Sequence, residues 1–118
     1  MKTVARRCGS VSVGKAAAKI ADHLKRRVQG SGGQYRAARW IGRKGCPDAF
    51  IWWEWPRAAY VEIKAEESKD RYSVLQQREV GRMRAAGIPV FTARTLADVD
   101  ELVEIVRKGG CNPPLHLI

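Results

Sequence analysis

The sequence is poor in cysteine, and it lacks any long apolar run. Its three cysteines stand far apart and none forms a C-x-x-C pair, which argues against a disulfide framework and against a structural zinc site. No apolar stretch is as long as the about 18 residues that a membrane-spanning helix needs. The basic residues at the start of the sequence are not followed by the apolar segment that a signal peptide has. We therefore expect a cytoplasmic protein, in a reducing compartment and without a membrane partner.

Acidic residues are scarce in the first part of the chain. Residues 1–45 carry 12 Lys and Arg against a single acid, Asp22, whereas residues 46–118 carry 10 basic and 11 acidic residues. The net charge of the whole chain is +10. Such an asymmetry is typical of proteins that bind a polyanion, and nucleic acid is the simplest partner. A solubilising surface and a face attracted to membranes are the alternatives.

The length of 118 residues is enough for one domain with one core. We predict a single domain over residues 1–118, with its core over about 14–108, an N-terminal arm over 1–13 and a C-terminal tail over 109–118. Periodicity and turn residues predict a helix, three strands, a helix, a strand and a last helix, over residues 14–29, 34–41, 48–53, 58–64, 73–86, 89–93 and 95–108. The predicted fold class is α/β, a small mixed sheet flanked by helices, with an antiparallel hairpin and a right-handed parallel crossover.

The segment from Gly45 to Lys64 carries the chemistry. Asp48 begins one strand of the predicted hairpin and Glu62 lies on the other, so the hairpin can bring the two carboxylates together. Two adjacent carboxylates repel each other unless a cation lies between them, and oxygen ligands suit Mg²⁺ or Mn²⁺. Alternation along the strand places Lys64 on the face of Glu62, where its ammonium can reach a scissile phosphate. Metal-assisted hydrolysis of a phosphodiester bond uses groups of these kinds.

The same residues have plainer interpretations. Glu62 and Lys64 can be solvated residues on an open sheet face, and Asp48 can cap the turn after Pro47. The apolar strand that follows Asp48 and the basic loop before it weaken this alternative, because they predict a partly buried acid beside positive charge.

A polar amide falls on the apolar stripe of the helix after the hairpin. Gln76, Val80, Met83 and Gly87 recur at helical spacing, which directs the amide toward the sheet. The alternative is a capping box in which Gln76 bonds back to the helix start at Ser73. A side chain can cap and still point into a neighbouring site, so both interpretations stay open.

Trp52, Trp53 and Trp55 form an aromatic cluster in the sequence. We expect these side chains to belong to the core or to a dimer interface, in preference to a surface on which bases stack.

Four segments together resemble one known nuclease family: Gly45-x-Pro47-Asp48, Glu62-Ile63-Lys64, Gln76 and Arg84-Ala85-Ala86-Gly87-Ile88-Pro89-Val90. They look like the virus-type replication-repair nuclease (VRR-NUC) domain of the PD-(D/E)XK superfamily, over about residues 14–106. The resemblance implies a restriction-endonuclease-like α-β-β-β-α-β core, a divalent metal and DNA as the substrate.

The resemblance also implies roles for individual residues. Asp48 and Glu62 match the metal ligands of the family, and the backbone carbonyl of Ile63 matches a further ligand. Lys64 matches the catalytic lysine and Gln76 the motif glutamine. Small stand-alone members are similar to Holliday-junction resolvases and tend to form homodimers.

One position departs from the family pattern, which places an acid on the inner face of the first helix. Here the sole acid of that helix is Asp22, which lies roughly 140° from the apolar stripe at about 100° per residue. We therefore predict that Asp22 faces solvent and that the helix-borne ligand is missing.

We interpret the sequence as a Mg²⁺- or Mn²⁺-dependent DNA endonuclease that acts as a homodimer, with a preference for branched DNA, in the replication or repair of phage or bacterial DNA. Four basic residues are expected to bind phosphates: Arg36, Arg39, Arg43 and Lys44. The alternative, motivated by the missing helix acid, is a basic nucleic-acid-binding module with a degenerate, inactive nuclease fold. A weaker alternative is a repair subunit that is active only with a partner.

Overall fold

The computed structural model describes residues 15–40, 45–65 and 74–118. Its helices and strands follow the predicted order: α1 (Lys15–Gly30), β1 (Gln34–Ala37), β2 (Ala49–Trp52), β3 (Ala58–Ile63), α2 (Val74–Ala85), β4 (Val90–Ala93), α3 (Leu96–Arg107) and a short 3₁₀ helix (Leu115–Leu117). None of the helices in these ranges is both long and apolar enough to cross a lipid bilayer.

The four strands form one mixed sheet in the order β1-β2-β3-β4. The first three strands pair antiparallel, and β4 joins β3 in parallel after the chain has crossed over through α2. The predicted α/β fold with a small mixed sheet is therefore confirmed. The hairpin that carries Asp48 and Glu62 lies in the middle of this sheet.

One face of the sheet packs against α1 and α3. The apolar stripe of each helix is buried there with alternate strand residues, including Leu24, Val28, Val61, Phe91 and Leu102. Ion pairs link the two helices at their outer sides, where Arg27 Nε lies 3.0 Å from Asp100 Oδ1 and Arg27 Nη2 lies 3.6 Å from Glu104 Oε2. The fully buried residues make this face the hydrophobic core of the protein.

The opposite face of the sheet is only partly covered in the described residues. Helix α2 lies over the β3–β4 half, where Val80 and Met83 pack against Val90 and Tyr60. On the β1–β2 half, the side chains of this face are half-buried or exposed. Asp48 and Glu62 lie on this partly open face, because residues of even number along β2 and β3 point away from the core.

Three details differ from the prediction. Strand β1 ends at Ala37 and not at residue 41, although the Ala38 N–H still donates to the Asp48 carbonyl at 2.7 Å. Gly87 is exposed and ends α2 with a φ of +83°, so it does not continue the buried stripe. The C-terminal segment predicted as a tail contributes the fully buried Leu117 to the core.

The three tryptophans of the hairpin go to three different environments. Trp53 packs against the core and its indole N–H donates to the Ser31 carbonyl at 3.2 Å. Trp52 lies half-buried on the partly open face, and Trp55 is 80% exposed in the turn between β2 and β3. Of the three, Trp53 alone packs against the core as expected, because successive strand residues point to opposite faces.

Candidate active site

The pairing of β2 with β3 places Asp48 directly across from Glu62. The register pairs Ala49 with Val61, so the next residues along the two antiparallel strands are Asp48 and Glu62. Opposite residues have Cβ atoms about 4.5–5.5 Å apart. Both side chains are buried, with 4% and 3% of their residue surfaces exposed. The structure therefore brings together the two carboxylates that the sequence singled out.

Each carboxylate is held by an amide donor. The backbone N–H of Ile63 donates to Asp48 Oδ2 at 2.9 Å, which ties the end of β2 to the end of β3. The Gln76 side chain donates from Nε2 to Glu62 Oε2 at 3.1 Å. These contacts orient both carboxylates before any ligand binds, since each fixes the position of one oxygen atom.

Gln76 reaches the site from the first turn of α2. Its residue is 3% exposed, and the hydrogen bond to Glu62 places its amide at the carboxylate pair, as the helical spacing predicts. The alternative of a capping box involves Ser73, which lies outside the described residues.

The backbone conformation and the close packing at position 45 explain why a glycine precedes Pro47 and Asp48. Its φ of +85° lies in the left-handed region that favours glycine. A Cβ atom at this position would lie 2.5 Å from the Leu75 carbonyl oxygen and 2.8 Å from the Gln76 nitrogen. The loop that leads to Asp48 thus packs directly against the backbone of α2, next to the residue that holds Glu62.

We expect Gly45→Ala to lower the free energy of unfolding by about 2–4 kcal/mol, because a Cβ is both strained at this φ and too close to the α2 backbone. Urea denaturation measures the change. Gly81→Ala is the matched control, since a Cβ there meets nothing within 4 Å and the position is inside α2. The control should gain up to about 1 kcal/mol from helix propensity. Equal stability of Gly45→Ala and the unmodified protein would contradict the packing argument.

Lys64 follows directly after β3. Its backbone N–H donates to the Ala93 carbonyl at 3.0 Å, which extends the parallel pairing with β4 by one residue. The alternation of side chains therefore places Lys64 on the face of Glu62, and the residue is half-buried. This agrees with the position that the sequence predicts for the lysine.

Sequence analysis missed Thr92 as a site residue. The β3–β4 register pairs Thr92 with Glu62, and Thr92 is completely buried. Its hydroxyl lies on the site face of a strand whose other residues, Val90, Phe91 and Ala93, are apolar. A hydroxyl inside such a strand is the signal that could have identified it, because a buried polar group needs a partner.

The sequence run that begins at Arg84 also has a local structural explanation. The Arg84 guanidinium donates from Nε and Nη2 to the Val90 carbonyl, at 3.1 and 2.8 Å. Arg84 thereby fastens the last turn of α2 to the start of β4. This contact helps to hold α2, and with it Gln76, over the sheet.

Two of the four predicted phosphate-binding residues lie in the described part of the chain. Arg36 and Arg39 are exposed, and the register of β1 places Arg36 on the face of the carboxylates. Arg36 Nη1 donates to its neighbours, the Tyr35 carbonyl at 2.8 Å and Gln34 Oε1 at 3.2 Å. Arg43 and Lys44 lie outside the described residues.

Asp22 faces solvent, as predicted. It forms an i,i+4 ion pair with Arg26 at 2.9 Å, and its side chain is 55% exposed. Within residues 15–40, 45–65 and 74–118, no three His, Cys, Asp or Glu side chains come together in a cluster that could hold a metal ion. In this part of the chain the acidic groups of the site are therefore the two carboxylates on β2 and β3.

The donor atoms at the site fit a hard divalent cation. Two carboxylates and the nearby backbone carbonyl of Ile63 offer oxygen ligands alone, which is the chemistry that Mg²⁺ and Mn²⁺ prefer. Cys46, which stands two residues before Asp48, does not add a thiol. It is buried and disulfide-bonded, although the spacing of the three cysteines argues against a disulfide framework.

The fold agrees with a known domain type. A solved structure described as "VRR_NUC domain" superposes on this chain with a TM-score of 0.68 and 29% sequence identity, covering 77% of this chain and 97% of that one. The resemblance to VRR-NUC domains is confirmed. The VRR-NUC fold indicates a nuclease domain of the PD-(D/E)XK type. No family model matches the sequence, and no curated protein matches it.

Proposed function

We propose that this protein is a Mg²⁺- or Mn²⁺-dependent DNA endonuclease that hydrolyses phosphodiester bonds. The observation that carries the proposal is the buried carboxylate pair, Asp48 and Glu62, on adjacent strands of a VRR-NUC fold, with Gln76 hydrogen-bonded to one of them. Two buried carboxylates side by side are costly unless a cation offsets their charge. The pair is therefore better explained as a metal site than as a solvated sheet face.

The residues of the site have different proposed roles in the hydrolysis. Asp48, Glu62 and the Ile63 carbonyl would hold the cation, which when bound supplies Lewis acidity at the scissile phosphate. The Lys64 ammonium orients the attacking water or stabilises the negative charge that develops on the phosphate oxygens. Gln76 keeps Glu62 in position through its 3.1 Å hydrogen bond and positions the lysine or the water.

The experiment that tests this function is the conversion of supercoiled plasmid to nicked and linear forms. We expect cleavage with Mg²⁺ or Mn²⁺ and none in excess EDTA. Cleavage that persists in EDTA would contradict the metal role. Protein that binds the plasmid but leaves it intact with either metal would favour the alternative, an inactive DNA-binding module, which is motivated by the solvent-facing Asp22.

DNA is the proposed partner because of the charge distribution. The net charge is +10, and the exposed Arg36 and Arg39 lie on or after β1, next to the strand that carries Asp48. Arg43 and Lys44 extend this basic segment in the sequence, and their contact with phosphates stays a prediction.

We expect Arg39→Ala to weaken binding to all DNA sequences alike and to reduce the slope of log affinity against log salt by about one unit, the value for one lost phosphate contact. Fluorescence anisotropy with a labelled oligonucleotide at several salt concentrations gives the slope. Lys108→Ala is the control, because Lys108 is exposed at the end of α3, on the other side of the sheet. An unchanged slope for Arg39→Ala would exclude this contact.

The assembly and the cellular setting are also proposals. We propose a single nuclease domain over residues 1–118 that forms a homodimer, since a two-fold pair of sites can cut two strands symmetrically. Exposed apolar side chains of the C-terminal tail, Leu115 and Ile118, are available for that interface. Sedimentation at micromolar concentration should show a species of twice 13.2 kDa. We further propose that the protein prefers branched DNA and that it acts in phage or bacterial DNA repair in the cytoplasm.

A further inference from the structure

Four aromatic side chains form a continuous row on the face of the sheet that carries the carboxylates. The ring centroids of Trp40 and Tyr60 are 5.7 Å apart, those of Tyr60 and Phe50 are 4.6 Å apart, and those of Phe50 and Trp52 are 5.4 Å apart. All four side chains are half-buried. We call Trp40, Tyr60, Phe50 and Trp52 the aromatic row.

The aromatic row starts beside the site and leads away from it. Asp48 stands directly before β2, and Phe50 and Trp52 follow it on the same face, so successive members are spaced by about 6.6 Å. Trp52 therefore lies about 13 Å from Asp48 along the strand.

Helix α2 contacts the aromatic row at Tyr60. Tyr60 packs against the apolar cluster that Val80 and Met83 of α2 form with Val90, whereas Phe50 and Trp52 lie farther along the sheet toward β1. At that far end the Arg36 guanidinium lies 5.0 Å from the centre of the Trp52 ring. Arg36 is exposed and donates to Gln34 and Tyr35 from Nη1, and a guanidinium carries five N–H donors in all, so further donors stand at the end of the row.

Charge and chemistry favour DNA over a second copy of the chain as the occupant of this surface. A symmetric interface would bring the same patch of both copies together, and with it Arg36 and Arg39 of each copy, which repel each other. A nucleotide offers instead a flat base for the rings and a phosphate for the guanidinium. The net charge of +10 also favours DNA, a polyanion, over a second copy of this basic chain.

We propose that unpaired bases of the DNA stack on the aromatic row, so that the substrate presents single-stranded nucleotides next to the scissile phosphate. Bases inside a duplex are stacked on each other and cannot reach the rings, whereas unpaired bases can stack on any aromatic face. This inference rests on the proposed nuclease function, because the carboxylates define where the scissile phosphate lies.

The test compares binding to a single-stranded oligothymidylate with binding to a blunt duplex, by fluorescence anisotropy in EDTA so that no cleavage occurs. We expect Trp52→Leu to weaken single-strand binding about 10-fold, within the range of one lost stacking contact, and duplex binding by less than about 2-fold. Trp55→Leu is the matched control, since Trp55 is 80% exposed and outside the aromatic row. Trp52→Phe keeps an aromatic ring and should restore most of the single-strand affinity. Phe50→Leu serves as a second test if Trp52→Leu does not fold.

Two results would overturn the inference. Equal losses on the single strand and the duplex would show that Trp52 does not distinguish unpaired bases, and a shift of Trp52→Leu from dimer to monomer in sedimentation would make the row an interface between copies. The binding assay contains no metal, so its outcome is independent of the plasmid assay. Plasmid cleavage together with an unselective Trp52→Leu would refute this inference alone, while selective binding without plasmid cleavage would refute the nuclease function alone.

Discussion

Replacing Asp48 by Asn should reduce plasmid cleavage by about 1,000-fold or more while the protein stays folded and still binds DNA. The amide oxygen of Asn can accept the Ile63 N–H bond that Asp48 accepts at 2.9 Å, so the link between β2 and β3 survives. The negative charge is lost, however, and with it a ligand for the cation, whose Lewis acidity is worth several kcal/mol at the transition state. DNA affinity should stay the same or rise, because an anion near phosphate has been removed.

The control for this change is Asp22→Asn. Asp22 carries the same charge but is exposed on α1, and its ion pair with Arg26 is a surface contact of small value. Calorimetric titration with Mn²⁺ should show weaker binding for Asp48→Asn and for Glu62→Gln, and unchanged binding for Asp22→Asn. Cleavage by Asp48→Asn at the rate of the unmodified protein would refute the proposed metal site.

The carboxylate pair and its amide partner were predictable from the sequence because they depend on local periodicity. Asp48 and Glu62 are on the two strands of one hairpin, and a hairpin with a short turn has few possible registers. Gln76 falls on the buried stripe of α2 at helical spacing, so its direction follows from the position of Val80 and Met83. In each case a short stretch of chain determines which face the side chain occupies.

The remaining features depend on contacts between segments distant in sequence. The need for glycine at Gly45 arises from the backbone of Leu75, 30 positions farther along the chain, and periodicity carries no information about such an approach. Thr92 becomes a site residue because β4 pairs in parallel with β3 in the register that places it opposite Glu62. The different environments of Trp52 and Trp53, by contrast, were predictable, because successive residues of a strand point to opposite faces. The sequence interpretation treated the three tryptophans as one group and did not apply this alternation to them.

Replacing Lys64 by Met should also stop cleavage, by about 100-fold to 1,000-fold, but it should leave Mn²⁺ binding nearly unchanged. Met keeps an unbranched apolar chain at this half-buried position, while the ammonium that faces the developing charge is lost. An ammonium is not a metal ligand, so the carboxylates keep their affinity for the cation. The combination of lost cleavage and retained metal binding separates Lys64 from Asp48 and Glu62.

Lys108→Met is the matched control, because Lys108 is 73% exposed at the end of α3 and should affect neither measurement. Loss of Mn²⁺ binding together with cleavage in Lys64→Met would show that the lysine maintains the structure of the site and does not act on the phosphate. Undiminished cleavage would remove Lys64 from the mechanism. Either result would leave the carboxylate pair as the site of cation binding, since its position depends on the β2–β3 register and the Gln76 hydrogen bond rather than on the lysine.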